Sequence, residues 1–160
     1  MQYFTNYSSH FAVLTKVMTA SGGPVLEVGM GIFSTPLLHW LCLDQDRKLT
    51  SLESAEKYYK LNRRFASPNH EIILIKDWDK FNFNSTWDVV FVDNDDQWRA
   101  PVVKKVANSA NYIVIHDSDD PTYNYESIFP LFKYQYHYTK AQPNTSVLSN
   151  TIELSWLDEV

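Results

Sequence analysis

Two short stretches concentrate the groups that could move a proton or hold a hard cation. They are "VDNDDQWR", with Asp93, Asp95 and Asp96, and "IHDSDDP", with His116, Asp117, Asp119 and Asp120. Aspartate oxygens suit Mg2+ or Ca2+, and a neutral imidazole beside them suits general-base work near neutral pH. The same acids also cap turns and helix starts, so the clusters alone do not separate catalysis from architecture. A third stretch, "VLEVGMGIFSTP", ends an apolar run near Glu27 and continues through Gly29 and Gly31 to Ser34, Thr35 and Pro36. Two glycines there let the backbone turn sharply and a ligand approach without a Cβ in the way.

Each stretch follows a short apolar run. The runs at 24–29, 48–53, 71–75, 87–93 and 111–117 have the length and Val/Ile or aromatic content of strands buried on both faces. Helical segments alternate with them. One starts at Ser34 or Thr35 as cap with Pro36 in its first turn. Another runs over 54–65 from a Ser54 cap, and a third over 96–110 with Pro101 near its first turn. "KDWDKFNFNST" is too short and polar for a helix, so one crossover is reduced. Then "FKYQYHYTK" alternates strictly, "QPNT" turns, and "SVLSNTIELSWL" supplies a last strand region. The expected fold is α/β, Rossmann-like and doubly wound: a mostly parallel seven-stranded sheet ending in an antiparallel hairpin. Residues 1–160 read as a single domain with an N-terminal helical extension over 1–22.

In such a sheet a ligand sits beyond the carboxyl ends of the strands. A dinucleotide turn would want a third glycine where Ser34 stands, and Glu27 would oppose a pyrophosphate. A carboxylate there suits a cation instead, such as an α-amino group or a sulfonium. Glu53 ends the second strand region about 20 residues past the glycines, the spacing of an acid that accepts ribose hydroxyls. Ribose at one end and a cationic amino acid at the other describe S-adenosylmethionine.

With these residues in view, "VLEVGMGIFST", "LTSLESAEKYYKLNRRF", "WDVVFVDND" and "NYIVIHDS" resemble the consecutive motifs of class I S-adenosylmethionine-dependent methyltransferases. They are most similar to the small-molecule, catechol-type O-methyltransferase branch. The resemblance implies that Glu27, Gly29 and Gly31 line the methionine end, with Ser34 and Thr35 nearby. It implies that Glu53 takes the ribose, Asp77 the adenine amino group with Trp78 against the ring, and that Asp93 lies beside the reacting methyl. It further implies Mg2+ on Asp93 and Asp117, although Ser118 stands where that branch has Asn; Asn94 and Asp119 are the substitutes at hand. His116 is a candidate general base or, equally, a buried, hydrogen-bonded histidine. Arg99 is expected to pair with Asp95 or Asp96, with contact to an anionic substrate as the alternative, and His10, His39, His70 and His137 have no constellation around them.

The implied activity is methyl transfer to a small-molecule acceptor, with a non-catalytic S-adenosylmethionine-binding protein as the alternative. A net charge of -5 and the acidic strand ends work against a phosphate backbone, so no nucleic-acid partner is expected. "DNDD" replaces the Asn/Asp-Pro-Pro-aromatic tetrapeptide frequent in amino-methylating enzymes. One cysteine, Cys42, fits a reducing compartment. With no signal-like start and no ~20-residue apolar span, a cytoplasmic location and no membrane partner are expected. A homo-oligomer could complete the acceptor site.

Overall fold

A computed structural model describes residues 7–159. The first part of the proposed N-terminal extension lies outside the described residues. Its remainder forms α1 (Phe11–Thr19), and four helices alternate with seven strands: β1 (Val25–Val28), α2 (Ser34–Asp44), β2 (Leu49–Glu53), α3 (Glu56–Asn62), β3 (His70–Leu74), β4 (Trp87–Val92), α4 (Asp96–Val106), β5 (Ala110–Ile115), β6 (Tyr134–Tyr138) and β7 (Thr145–Ser149). The sheet order is β3-β2-β1-β4-β5-β7-β6. Strands β1 to β5 pair in parallel, while β7 pairs antiparallel with both β5 and β6. The expected doubly wound sheet with a terminal hairpin is therefore present, and strand order reverses between β1 and β4.

The central strands are apolar throughout because both faces are covered. Leu26, Val28, Val90, Val92, Ile113 and Ile115 pack under α4 with Val102, Val103 and Val106. Their neighbours of opposite parity, Val25, Val89, Phe91, Tyr112 and Val114, pack against α1 and α2 with Val13, Leu14, Val17 and Leu38. The crossover between β3 and β4 carries only a single 3-10 turn, Trp78–Lys80, as its polar sequence requires.

Several element ends differ from expectation for local reasons. Helix α2 begins at Ser34 with Phe33 as cap, so Ser34 and Thr35 lie inside its first turn. Helix α3 starts after Ala55 rather than Ser54, because the Glu53 carboxylate already accepts the Ala55 N–H at 2.7 Å. It tightens into a 3-10 turn at Arg63–Phe65. Pro101 lies inside α4 rather than near its first turn, and the segment after β7 closes as a 3-10 turn, Ser155–Glu159, instead of extended strand. "PTYNYESIF" forms consecutive 3-10 turns. Among the described residues no helix is long and apolar enough to cross a membrane.

Candidate functional site

A cleft of about 1170 Å³ opens at the carboxyl ends of β1, β2, β4 and β5, where the strand order reverses. Gly31 and Ser34 line it from the turn after β1, Glu53 from β2, and Asp93, Asn94 and Asp95 from the segment after β4; His116 and Asp117 follow β5. Sheet topology alone thus gathers residues from four distant stretches into one site.

Register separates the two glutamates. Val28 pairs with Leu52, so Glu53 projects one position beyond the shared strand end, whereas Glu27 stands one position short of it. Glu53 reaches the cleft while its two oxygens accept the Met30 N–H at 2.8 Å and the Ala55 N–H at 2.7 Å. Each oxygen keeps a lone pair for a further donor. Burial raises its carboxyl above the usual range, against the pull of those backbone donors.

Glu27 is fully buried and does not line the cleft. It accepts hydrogen bonds from Thr35 Oγ1 and Ser51 Oγ, and the Gly31 N–H donates to the same threonine oxygen at 3.1 Å. Its part is to hold the turn from behind. Gly29 likewise serves the backbone: its φ is +89°, and an added Cβ would lie 2.3 Å from the Asp93 carbonyl oxygen. An added Cβ on Gly31 would come within 2.8 Å of Ser34 Oγ, so this second glycine keeps the cleft side of the turn open. Behind Glu27, Ser51 Oγ lies 2.8 Å from His70 Nε2, and His70 Nδ1 lies 3.1 Å from His39 Nδ1, which makes these two histidines interior packing groups.

Burial pushes the Glu27 carboxyl up from 4.5 to about 7, opposed by the surrounding hydroxyls. Between those values the folded chain holds a proton that the unfolded chain releases, so stability falls as pH rises across that window and levels off above it. The whole effect is about 3 kcal/mol. Glu27→Gln is therefore expected to melt higher than wild type at pH 8, with the difference fading toward pH 5. Parallel pH profiles of melting for the two proteins would contradict this.

Asp77 and Trp78 stand away from the cleft. Trp78 is only 3% exposed and packs in the core under α4, with its indole N–H donating to Asp95 at 3.3 Å. Asp77 caps its own turn through the Asp79 N–H and pairs with Lys80 at 3.6 Å. The tryptophan closes the core edge in one cluster with Ile75 and Phe83. The cleft wall on this side comes instead from Ala55, Lys57, Tyr58 and Leu61 after β2 and in α3, within a few residues of the acid that sequence spacing had singled out.

At the other end, Arg99 of α4 does not pair with Asp95 or Asp96. It donates from Nη2 to Asp93 at 2.8 Å and from Nη1 to Asp117 at 3.0 Å. Nε also donates to the Asn94 carbonyl at 2.8 Å, and the guanidinium lies 4.0 Å from the Tyr123 ring centre. Asp117 meets it from a left-handed backbone, φ 52°, a conformation aspartate tolerates better than most residues. Burial opposes charge on Asp93, but His116 and Arg99 outweigh it and hold that carboxyl low. Burial and the neighbouring Asp93 push Asp117 up.

Asp93, His116 and Asp117 are the one group among the described residues whose ligand atoms come close enough for a metal, all within 4.8 Å. Mg2+ does not fit them, because the guanidinium already neutralises the pair of acids from within hydrogen-bond distance. The third donor, moreover, is an imidazole rather than the hard oxygen Mg2+ prefers. Ser118, at the departing position, turns to β7, accepting from Ser146 Oγ at 2.8 Å, while Asp119 accepts the Asn144 N–H at 2.8 Å. The implied Mg2+ site is thus replaced by an internal ion-pair network.

His116 is 3% exposed. Its Nδ1 lies 3.3 Å from Asp117 and 3.4 Å from Asp93, without making a hydrogen bond to either. Nε2 lies 2.9 Å from Ser9 Oγ. The N-terminal segment thus enters the site, and with it His10, whose ring centre is 4.8 Å from that of His116. Nothing local in "SSHF" signals this, since Ser9 and His116 are 107 positions apart.

No family model and no curated protein matches the sequence. Solved structures do match. The Podospora anserina methyltransferase PaMTH1, bound to S-adenosylhomocysteine, superimposes with a TM-score of 0.66 at 12% identity, covering 93% of this chain and 80% of its own. The fold is that of a methyltransferase. A Staphylococcus aureus protein described as a caffeoyl-CoA O-methyltransferase gives 0.63 at 11% identity over 93% of this chain and 84% of its own. A Plasmodium falciparum dimethyladenosine transferase gives 0.56 at 15% identity over 86% and 61%. The same scaffold thus accompanies differently named methyl-transfer enzymes, and only the site can argue for an acceptor here.

Proposed function

We propose that this chain is an S-adenosylmethionine-dependent methyltransferase acting on a small-molecule acceptor at oxygen. The observation that carries the reading is Glu53. It is a buried carboxylate at the end of β2, fixed by two backbone N–H groups and still facing the cleft, as an acceptor of ribose hydroxyls must be. Gly31, open toward the same cleft, and the acidic lining suit a ligand of net positive charge.

When bound, S-adenosylmethionine supplies an activated methyl that passes to an acceptor lone pair as the carbon–sulfur bonding pair returns to sulfur. The chain's task is to orient the acceptor and receive its proton. His116 is the group for that proton: Asp93 and Asp117 lie within 3.4 Å of its ring and stabilise the imidazolium that results. Arg99 keeps those carboxylates apart and charged. The acidic lining repels a phosphate backbone, which supports a small acceptor over a nucleic acid.

Calorimetric titration with S-adenosylmethionine and S-adenosylhomocysteine tests the reading, and failure of both to bind would overturn it. Glu53→Ala should weaken S-adenosylhomocysteine at least tenfold, through loss of a charge-assisted bond of about 1.5–3 kcal/mol. Unchanged affinity in a folded variant would remove Glu53 from the ribose role. Tight binding with no turnover against a panel of hydroxylated acceptors would favour a non-catalytic binding protein.

A further inference from the structure

Helix α2 holds no Asp, Glu, Lys or Arg before its last residue, Asp44. Its inward stripe, Ser34, Thr35, Leu38, His39 and Cys42, is buried. The opposite stripe runs from the cap residue Phe33 through Leu37 and Trp40 to Leu43, the spacing of one helix face. Leu37 is half-buried, while Phe33, Trp40 and Leu43 are 37%, 59% and 50% exposed. Ile32 and Leu61, 52% and 38% exposed, flank the stripe where the cleft opens. A surface helix ordinarily turns polar groups to water, so this outer stripe is an apolar contact surface without a partner.

Beside it lies the most basic stretch of the chain. "KYYKLNRR", Lys57 to Arg64, has four cations and no acid, although the net charge is -5. All four are exposed, and only Lys60 pairs with a carboxylate, that of Glu56. Ring contacts join the two helices. The Arg64 guanidinium lies 5.1 Å from the Phe65 ring centre, Phe65 5.2 Å from His39, and His39 4.9 Å from Trp40. The aspartates that border the cleft follow β4 and β5, whereas α3 connects β2 and β3 on the other side of β1.

Tryptophan, phenylalanine and leucine flanked by lysine and arginine suit an anionic bilayer surface, where headgroups meet the cations and the acyl boundary takes the apolar side chains. Two other occupants fit less well. A nucleic-acid strand would use the cations and aromatic rings, but Ile32, Leu43 and Leu61 offer no face on which a base can stack. A second copy of this chain in a two-fold contact would bring two sets of cations together. With 11 residues α2 is too short to cross a membrane, so it would lie along the surface.

We propose that the face formed by α2 and α3 docks this protein on an anionic lipid bilayer. The inference is independent of the methyltransferase reading. Trp40 is the one exposed tryptophan of five, so its fluorescence reports the contact. Mixed with vesicles of equal parts phosphatidylcholine and phosphatidylglycerol, the protein should cosediment, and its tryptophan emission should move to shorter wavelength. Vesicles of phosphatidylcholine alone should bind at least about tenfold more weakly, since each cation near a charged surface contributes about fivefold. Arg63→Glu combined with Arg64→Glu should weaken binding to the anionic vesicles at least about tenfold. Trp40→Ser should weaken it by about tenfold and abolish the emission shift. These side chains are exposed, so both variants should melt with the wild type; should either not fold, the two vesicle types still decide with the wild type alone.

No cosedimentation with anionic vesicles, equal binding to both vesicle types, or an emission shift that persists in Trp40→Ser would overturn the proposal. A solution dimer that Trp40→Ser dissociates would overturn it in favour of a second copy. Tighter binding of a single-stranded oligonucleotide than of the anionic vesicles would overturn it in favour of a nucleic acid.

Discussion

Arg99→Met should destabilise the folded chain by about 3–5 kcal/mol and make it responsive to divalent cations. The guanidinium side chain is 7% exposed, with Asp93 and Asp117 at 2.8 and 3.0 Å. Removing it leaves two adjacent, largely buried carboxylates with only His116 to offset them. The loss corresponds to a melting temperature lower by roughly 6–20 °C. The same substitution frees Asp93, His116 and Asp117, whose donor atoms already lie within 4.8 Å of one another. Two carboxylates and an imidazole suit Mn2+ or Zn2+ better than Mg2+, so Mn2+ should recover part of the lost stability. Melting curves with and without Mn2+ check both halves. A variant as stable as wild type would show that the ion-pair network contributes nothing. Stabilisation of the wild type by Mg2+ would show that the cation displaces the arginine, and should the variant not fold, that wild-type titration still decides the matter.

Gly29→Ala is the other severe substitution, expected to cost roughly 4 kcal/mol or more. Two penalties combine. The backbone has φ +89°, and a Cβ would sit 2.3 Å from the Asp93 carbonyl oxygen, 2.5 Å from its carbon and 2.6 Å from Asn94 Cα. These are backbone atoms of the β4 end, and no rotamer change can clear them. Relief requires moving that strand end, and with it Asp93 and the Arg99 network. Gly22→Ala is the matched control, since a Cβ there meets nothing within 4 Å, and it should lie within about 1 kcal/mol of wild type. Denaturant midpoints for the pair give the comparison. Indistinguishable midpoints would refute the close-packed turn, while failure of Gly29→Ala alone to yield folded protein agrees with it.

The sequence by itself determined the order of elements, the seven strands, the reduced third crossover and the terminal hairpin. Each follows from local facts: runs of β-branched residues, strict alternation, and turn residues between them. Strand-end positions were legible for the same reason, and so Glu53, Asp93, His116 and Asp117 were all identified as residues that meet at the carboxyl edge. Tertiary structure decided which way each side chain points once the elements pack. One residue of register sent Glu53 into the cleft and left Glu27 behind it. Packing with Ile75 and Phe83 took Trp78 into the core. Arg99 chose Asp93 and Asp117 over its sequence neighbours Asp95 and Asp96 because α4 lays it across the ends of β4 and β5, and that choice replaced a metal with a guanidinium. His10 and Ser9 joined the site only through α1 docking on the sheet. Periodicity reports which face of its own element a residue occupies; contact across 107 positions is set by packing between elements, which no local pattern encodes.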